Sequence, residues 1–486
     1  MFRAMLRLVK HSAIYGTGYV LSRALMFFLL PIHTNFMTKA QYGVVTELYA
    51  FMAVGAIIYS LGLNNAEIQF YITDSDREKR KRLVSTAFYI TFIWTLFLSL
   101  IIFFGRTFLS GLFFHSKEYG SLVSITALIM VFDVVSLLGY NIYRAEQKSQ
   151  FFILIHFLQV AVIVVFTFLF VVKYRMGPRG VFLANLIGSG TAFLFLLPVL
   201  SGFFIKTIDL KLLKRMLSFG LPFIPAIIGL VLINVVDRFF ITRMLGLEAA
   251  GIYGAGYKLG MTINLIVIGF SYAWHPFYLS VSKEPESKEL FSTVLTYFLL
   301  LCAIVFLVIS FYLNDIVRFK ISGITFFGRN FWDSTVIVPI VMLSYIMYGC
   351  VMIFQAGIYI NEKTRYLVLI SGIGAAANII GNIILIRIFG ITGAAIATFF
   401  SFAIMAVLSY IISDKFLKIK YDFIRILHLI MAAAAVYFSY KYFKIDFGRL
   451  TGIVFVLLFL LVLIVTGFFS VKEREKVRHI LARLWH

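Results

Sequence analysis

The chain of 486 residues is divided into about fourteen apolar stretches, each long enough to cross a lipid bilayer. An α-helix needs about 20 residues, at ~1.5 Å per residue, to cross ~30 Å of hydrocarbon. The uninterrupted apolar run 160–172, VAVIVVFTFLFVV, lacks the alternation of a membrane β-strand and therefore predicts a helix. We number the predicted segments 1 to 14 in chain order: 12–36, 41–63, 83–104, 120–142, 151–173, 181–204, 220–242, 251–280, 291–313, 334–360, 366–389, 390–413, 423–443 and 450–470.

The composition excludes a soluble globular protein of this length, because 61% of the residues are hydrophobic and only 14% are charged. Cys302 and Cys350 both lie inside apolar segments, so we expect neither a disulfide framework nor a metal site. Segment 1 follows the basic residues Arg3, Arg7 and Lys10, but it is too long for the core of a signal peptide. We therefore interpret it as a retained helix.

The net charge of +22 follows membrane topology and does not indicate nucleic-acid binding. With the N-terminus inside, the inner loops and segment ends carry 27 Lys and Arg residues, and the outer ones carry 14. The densest cluster is REKRKR, residues 77–82, between segments 2 and 3. Cytoplasmic loops are enriched in Lys and Arg, so this asymmetry predicts that both termini are cytoplasmic.

Two stretches of sequence recur and divide the chain into two copies. Residues 34–49, TNFMTKAQYGVVTELY, align with 242–257, TRMLGLEAAGIYGAGY, at an offset of 208 that superposes the Thr, the Gly and the final Tyr. Residues 177–184, GPRGVFLA, align with 390–397, GITGAAIA, at an offset of 213. Each copy has six segments, an even number, so both copies cross the membrane in the same direction as parallel repeats.

The repeat predicts an all-α polytopic membrane protein with two parallel six-helix lobes. The N-lobe comprises residues 1–205 and the C-lobe residues 218–413, and the linker 206–217 lies on the inner surface. Segments 13 and 14, within 414–470, fall outside the repeat. The basic tail 471–486 places its apolar residues on one helical face, which is typical of an interfacial helix.

The sequence favours a transporter over an enzyme. It contains no Gly-x4-Gly-Lys-Ser/Thr loop for ATP, no Gly-x-Ser-x-Gly elbow and no His-Glu-x-x-His motif. The longest outer loop, 314–333, has no room for a catalytic domain. We expect no cofactor, although coupling to protons or sodium stays open. Tandem helical bundles are the usual build of a transporter, with the substrate between the copies.

Ionisable residues inside the apolar segments are the candidate functional residues, because an Arg at mid-bilayer costs ~2.5–3.5 kcal/mol even on a lenient scale. Arg23 lies near the middle of segment 1, and its planar guanidinium suits a phosphate. Asp133 lies at a similar depth in segment 4. Either Arg23 binds an anion in a central cleft, or it forms a structural ion pair with Asp133.

A second set of charges lies near the outer third of the membrane. Glu47 in segment 2 and Lys258 in segment 8 occupy related places in the two copies, so they either pair as an outer gate or have separate partners. Asp237 and Arg238 are neighbours in segment 7, and we expect adjacent side chains to point in different directions on a helix. Arg238 either lines the cleft or extends to the outer surface.

The stretch 237–258, DRFFITRMLGLEAAGIYGAGYK, resembles the polysaccharide flippases that move O-antigen or capsule repeat units. Tyr42-Gly43 and Gly177-x-x-Gly180 are also similar to that family, which belongs to the multidrug/oligosaccharidyl-lipid/polysaccharide exporter superfamily. The resemblance covers roughly residues 8–413. It implies two six-helix lobes in a V around a central cleft, and two further helices are typical of the polysaccharide branch.

The resemblance also implies a function: transfer of an undecaprenyl-diphosphate-linked oligosaccharide from the cytoplasmic to the outer leaflet of a bacterial inner membrane by alternating access. The implied partners are this glycan, the bilayer and polysaccharide polymerase or assembly proteins, without nucleic acid. Cation-coupled multidrug antiport and lipid II flipping remain alternatives within the superfamily. The candidate residues are the anion-binding Arg23, Arg238 and Lys258 and the gate or coupling carboxylates Glu47, Asp133 and Asp237.

Overall fold

The protein is almost entirely helical in a computed structural model, which describes residues 27–74, 76–282, 284–321, 323–443 and 450–469. The helices of the first copy are Leu29–Phe36, Lys39–Ser60, Leu63–Thr73, Arg77–Phe104, Arg106–Phe114, Gly120–Ala145, Ser149–Thr167 with a π-helical continuation Phe168–Lys173, and Gly177–Ser201. The linker helix is Leu210–Gly220. The helices of the second copy are Phe223–Leu245, Leu247–Gly260, Asn264–Val281, Ser287–Arg318, Val338–Phe354, Ala356–Ile360, Arg365–Phe389 and Ile391–Asp414, with 3-10 turns Met261–Ile263 and Arg329–Ile337. Segments 13 and 14 are Phe423–Phe443 and Thr451–Val465.

Within the described residues, eleven helical spans are long and apolar enough to cross a membrane. Three of the fourteen predicted segments, 1, 8 and 14, are not among these spans. Segment 8 is interrupted by the 3-10 turn Met261–Ile263, and segment 14 is a shorter apolar helix. Most of segment 1 lies outside the described residues, as does the tail 471–486. The predicted all-α polytopic membrane fold is confirmed.

The two copies of the sequence repeat have the same internal packing. Segments 4 and 5 both pack on segment 6 in the first copy, and segments 10 and 11 both pack on segment 12 in the second. Gly177 and Gly390, which align in the repeat, both adopt a φ of +57° at the start of segments 6 and 12. This left-handed conformation is accessible to Gly at little cost, which explains why both copies have Gly there.

Segment 2 ends, close to its predicted boundary, in a break between two helices. Its helix ends at Ser60, Leu61 and Gly62 adopt positive φ, and a new helix starts at Leu63. A Cβ atom on Gly62 would lie 2.3 Å from the backbone oxygen of Gly220, at the end of the linker helix. The break therefore lets the inner end of segment 2 pass directly against the start of segment 7.

The predicted interfacial linker is a helix for most of its length. Asp209 caps it by accepting a hydrogen bond from the backbone N–H of Leu212 at 3.0 Å. The helix packs on Leu63–Thr73, and its first residue, Leu210, is exposed. The linker thus connects the two lobes along the end of the bundle that the Lys and Arg distribution predicts to be cytoplasmic.

Candidate functional site

The two lobes meet at one end of the bundle, which we name the outer end after the predicted orientation. Gly43 of segment 2 and Gly251 of segment 8, the pair superposed by the repeat, lie at this crossing. A Cβ on Gly43 would lie 2.0 Å from the backbone oxygen of Leu247, and one on Gly251 would lie 1.9 Å from that of Lys39. Leu247 and Lys39 are also separated by 208 residues. The repeated glycines therefore form a symmetric contact in which the two backbones touch.

The loop between segments 9 and 10 adds a second contact between the lobes. It contains a short antiparallel hairpin, Lys320–Ile321 with Ile324–Thr325. Asn35, at the end of segment 1, donates to the backbone oxygen of Thr325 at 2.8 Å, and Thr34 accepts from the backbone N–H of Gly328 at 3.0 Å. The structure is thus closed at the outer end.

Glu47 lies at this closed interface, where it is buried. Its carboxylate accepts a hydrogen bond from the Thr242 hydroxyl at 2.9 Å, which joins segment 2 to segment 7. No ion pair between Glu47 and Lys258 is present among the described residues, so of the two alternatives this structure has Glu47 with a separate partner, and a Glu47–Lys258 gate stays a prediction for other states. Thr242 is the counterpart of Thr34 in the sequence repeat. The alignment showed this correspondence, but it did not indicate that Thr242 would donate a hydrogen bond to a carboxylate.

Asp237 and Arg238 form an ion pair, although we expected their side chains to diverge. Arg238 Nη1 lies 2.7 Å from Asp237 Oδ1, and the same oxygen accepts the backbone N–H of Arg238 at 2.9 Å. The side chain of Asp237 is fully buried and that of Arg238 is 11% exposed. When two neighbouring opposite charges are both removed from water, pairing with each other lowers their free energy more than pointing apart does. The alternative that Arg238 extends to the outer surface is also wrong.

A cluster of tyrosines surrounds this ion pair. Tyr253 donates a hydrogen bond to Asp237, and Arg238 lies over the ring of Tyr257, 4.3 Å from its centroid. The hydroxyls of Tyr257 and Tyr345 are 2.9 Å apart, and these side chains link segments 8 and 10.

Asn234, one helical turn before the ion pair, completes the cluster. Its side-chain oxygen accepts from Tyr345 at 3.1 Å, and its backbone oxygen accepts from Arg238. Sequence reasoning missed Asn234 and Tyr345, because an uncharged polar residue in an apolar segment gives no signal of its partners.

Lys258 differs from Arg238 in having no counter-charge. It is half-buried in segment 8, and no ion pair or hydrogen bond of its side chain occurs within the part of the chain that the structure describes. His33 of segment 1 lies within electrostatic range of it. The imidazole is buried, and neither ring nitrogen has a hydrogen-bond partner in the described structure. Two polar groups from opposite lobes, within electrostatic range of each other, thus have no protein hydrogen-bond partner among the described residues.

Asp133 occupies a separate position in the N-lobe. It lies 3.5 Å from the Nε2 atom of Gln159 in segment 5 and within hydrogen-bonding reach of Ser189 in segment 6. Arg23 lies outside the described residues, so the choice between an Arg23–Asp133 ion pair and an anion-binding Arg23 stays a prediction. No group of three or more His, Cys, Asp and Glu side chains suited to a metal occurs within the described ranges.

Comparison with known proteins identifies a family and a fold. Residues 8–281 match a family described as polysaccharide biosynthesis protein. A search of curated protein sequences finds no match.

Among solved structures, the lipid II flippase MurJ in an inward closed conformation is 16% identical, with a TM-score of 0.73 over 95% of this chain and 99% of that chain. An inward-facing multidrug resistance MATE family transporter of the MOP superfamily is 12% identical, with a TM-score of 0.66 over 83% of this chain and 97% of that one. The D35N mutant of the Vibrio cholerae MATE transporter VcmN is 15% identical, with a TM-score of 0.58 over 84% and 96%.

Proposed function

Since this chain belongs to the polysaccharide biosynthesis protein family and has the fold of these transporters, we propose that it flips a polyprenyl-diphosphate-linked oligosaccharide across a bacterial inner membrane. The observation that carries the proposal is the half-buried Lys258, which has no counter-charge among the described residues. A cation in that setting is costly unless an anion neutralises it. A diphosphate supplies this anion during transport.

Arg238 and Lys258 differ in whether a carboxylate neutralises them. Arg238 is neutralised by Asp237, so its role is to hold segments 7 and 8 together and to offer its remaining N–H donors. Lys258, which lies within electrostatic range of His33, supplies the net positive charge for the diphosphate. Arg23, at mid-membrane in segment 1, is the second anion-binding residue in this proposal.

Alternating access accounts for the transport of the glycan. Each sugar hydroxyl removed from water without a partner costs ~4–8 kcal/mol in a hydrocarbon-like medium, so a glycan does not cross unaided. A polar cleft between the lobes replaces the lost hydrogen bonds, and the lipid tail stays in the bilayer. The contact at Gly43 and Gly251 closes the outer end, and its separation releases the glycan to the outer leaflet. Glu47, Asp133 and Asp237 are the carboxylates proposed to bias or couple this change.

Lipid II flipping is the second candidate function, and a specific observation favours it over multidrug antiport. The lipid II flippase structure covers 95% of this chain, whereas the multidrug transporters cover 83–84%. This difference in coverage is close to the fraction of this chain that segments 13 and 14 occupy. Lipid II is also a polyprenyl-diphosphate-linked glycan, so the chemistry of the cleft is the same.

Complementation distinguishes these functions. The gene is expressed in three bacterial strains: one lacking its polysaccharide flippase, one depleted of its lipid II flippase and one hypersensitive to cationic drugs. We expect restored surface polysaccharide, with Arg23→Ala abolishing it at unchanged protein abundance and Arg23→Lys restoring it only in part. Restored growth of the second strain alone would assign lipid II, and drug resistance alone would overturn the proposal.

A further inference from the structure

A charged cavity lies between the C-lobe and the additional helices, at the end of the bundle predicted to be cytoplasmic. It has a volume of about 590 Å³ and lies between the start of segment 9 and the loop that joins segments 12 and 13. Four cations line it against two carboxylates: Lys288, Lys418, Lys420 and Arg425 against Glu289 and Asp422. Three hydroxyl side chains of segment 9 complete the lining.

One of the two carboxylates, Asp422, is hydrogen-bonded to the backbone. Asp422 Oδ1 accepts the backbone N–H of Arg425 at 3.0 Å, and the backbone N–H of Asp422 donates to Ser292 at 3.2 Å. Asp422 therefore caps the first turn of segment 13. The Arg425 guanidinium lies 4.6 Å from the centroid of the Phe468 ring and 5.6 Å from that of Tyr297, so aromatic rings hold it in place.

The three lysines of the cavity have no acidic partner within the described parts of the chain. None of Lys288, Lys418 and Lys420 takes part in an ion pair there, and all three are exposed. Other lysines at this end of the bundle do have partners, for example Lys148 with Glu146 at 2.7 Å. Ammonium groups gathered around one cavity repel each other, and an anion in the cavity removes the repulsion.

The apolar side chains around the cavity indicate which kind of anion it suits. Within two helical turns of it, segments 9 and 13 expose the apolar side chains of Leu301, Ile424 and Leu427. Basic pockets between transmembrane helices on the cytoplasmic side suit anionic lipid headgroups, with acyl chains along the adjoining helices. We propose that this cavity binds the phosphate headgroup of an anionic glycerophospholipid of the inner leaflet, which ties segment 13 to the C-lobe.

The test uses the purified full-length protein and native mass spectrometry. Dioleoyl phosphatidylglycerol is titrated into the delipidated protein, with dioleoyl phosphatidylcholine as the zwitterionic counterpart of zero net charge. Each lysine near an anionic lipid contributes ~1 kcal/mol, so we expect the variant Lys288→Gln/Lys418→Gln/Lys420→Gln to bind phosphatidylglycerol at least tenfold more weakly. The corresponding triple Arg variant retains binding.

A matched control removes the same charge elsewhere on the same end of the bundle. Lys206, Lys211 and Lys214 of the linker are exposed and do not line the cavity. Their triple Gln variant should bind phosphatidylglycerol as the unmodified protein does. Equal loss in the two triple variants, or unchanged binding in the cavity variant, would overturn the proposal.

Inorganic phosphate separates the lipid from a free ion. At millimolar concentration it should displace phosphatidylglycerol only weakly, because the acyl chains add apolar contacts that phosphate lacks. Complete displacement by phosphate would assign the cavity to a free anion and exclude the lipid. None of these measurements depends on glycan transport, so their failure would leave the proposed flippase function untouched.

Discussion

Lys258 and Arg238 lie in neighbouring helices but differ in whether a nearby carboxylate neutralises their charge. Arg238 is held by Asp237, by the oxygen of Asn234 and by the ring of Tyr257. Lys258 has no such partner among the described residues, so its charge stays available to a ligand. In the sequence both are cations inside apolar segments, and only the structure shows that one is paired and the other is not.

We expect Lys258→Gln to reduce glycan export at least tenfold. A hydrogen bond to a charged group contributes about 1.5–3 kcal/mol, which corresponds to roughly a 10- to 100-fold change in binding. Lys258→Arg should keep most of the activity, because it retains the charge. Surface glycan normalised to protein abundance is the measurement, and Lys117→Gln on an exposed outer loop is the control. Unchanged export in Lys258→Gln would remove this residue from recognition.

The ion pair at segment 7 predicts a stability effect that is not additive. Asp237→Asn or Arg238→Gln alone leaves one buried charge uncompensated, at a cost of ~3–5 kcal/mol. The double variant removes both charges and should regain most of the lost Tm. Thermal unfolding of the purified protein in detergent measures all three. A double variant whose loss equals the sum of the single losses would show that the two residues do not act as a pair.

At the scale of elements, the contact between segments 2 and 8 determines whether the outer end closes. Gly251→Ala should prevent closure, because its Cβ would lie 1.9 Å from a backbone oxygen that has no freedom to move away. Thr46 is buried at the same interface. In a variant that lacks Cys302 and Cys350, a Cys at position 46 reports whether this interface opens. We expect faster maleimide labelling of Thr46→Cys from outside.

The control for this prediction is Gly372→Ala in segment 11. A Cβ on Gly372 would have no other atom within 4 Å, so labelling should stay unchanged. Equal labelling rates in the Gly251 and Gly372 variants would mean that the glycine contact does not control closure.

The hydrogen bond between Glu47 and Thr242 changes the expected outcome of a charge swap. If Glu47 and Lys258 were partners, Glu47→Lys/Lys258→Glu would recover the export that each single change loses. Because Glu47 is bonded to Thr242 instead, we expect the double variant to export no more than the worse single variant. Recovery in the double variant would show that the two side chains pair in another state of the transport cycle.

At the scale of the whole molecule, the distribution of Lys and Arg predicts an orientation that reporter fusions can test. Fusions after Lys10, Arg82, Lys288 and His486 should all report the cytoplasm, since 27 Lys and Arg residues lie on that side against 14. A periplasmic signal at Arg82 would overturn the orientation and would place the basic cavity on the wrong side for an inner-leaflet lipid.

The architecture was predictable because hydropathy and the repeat act over long stretches of sequence. The repeat alignment superposed Gly43 and Gly251, but the structure was needed to show that they form the contact between the lobes, where a Cβ would meet backbone. The partners of the charged residues were not predictable. Glu47 and Thr242 are 195 residues apart, and their pairing depends on how two lobes dock.

Local rules failed for the same reason. Adjacent residues on a helix usually diverge, but burial brought Asp237 and Arg238 together. The close approach of Gly220 to Gly62 likewise could not be predicted, because no pattern within segment 2 records it.

The most direct test of the proposed function is leaflet transfer in liposomes containing the purified protein. A fluorescent polyprenyl-diphosphate oligosaccharide is compared with the same oligosaccharide on an uncharged polyprenyl ether, and the fraction that reaches the opposite leaflet is measured by quenching from outside. The proposal predicts rapid transfer of the diphosphate substrate by the unmodified protein, slow transfer by Lys258→Gln, and slow transfer of the uncharged lipid by both. Equal transfer of the two lipids, unaffected by Lys258→Gln, would contradict recognition of the diphosphate in the cleft.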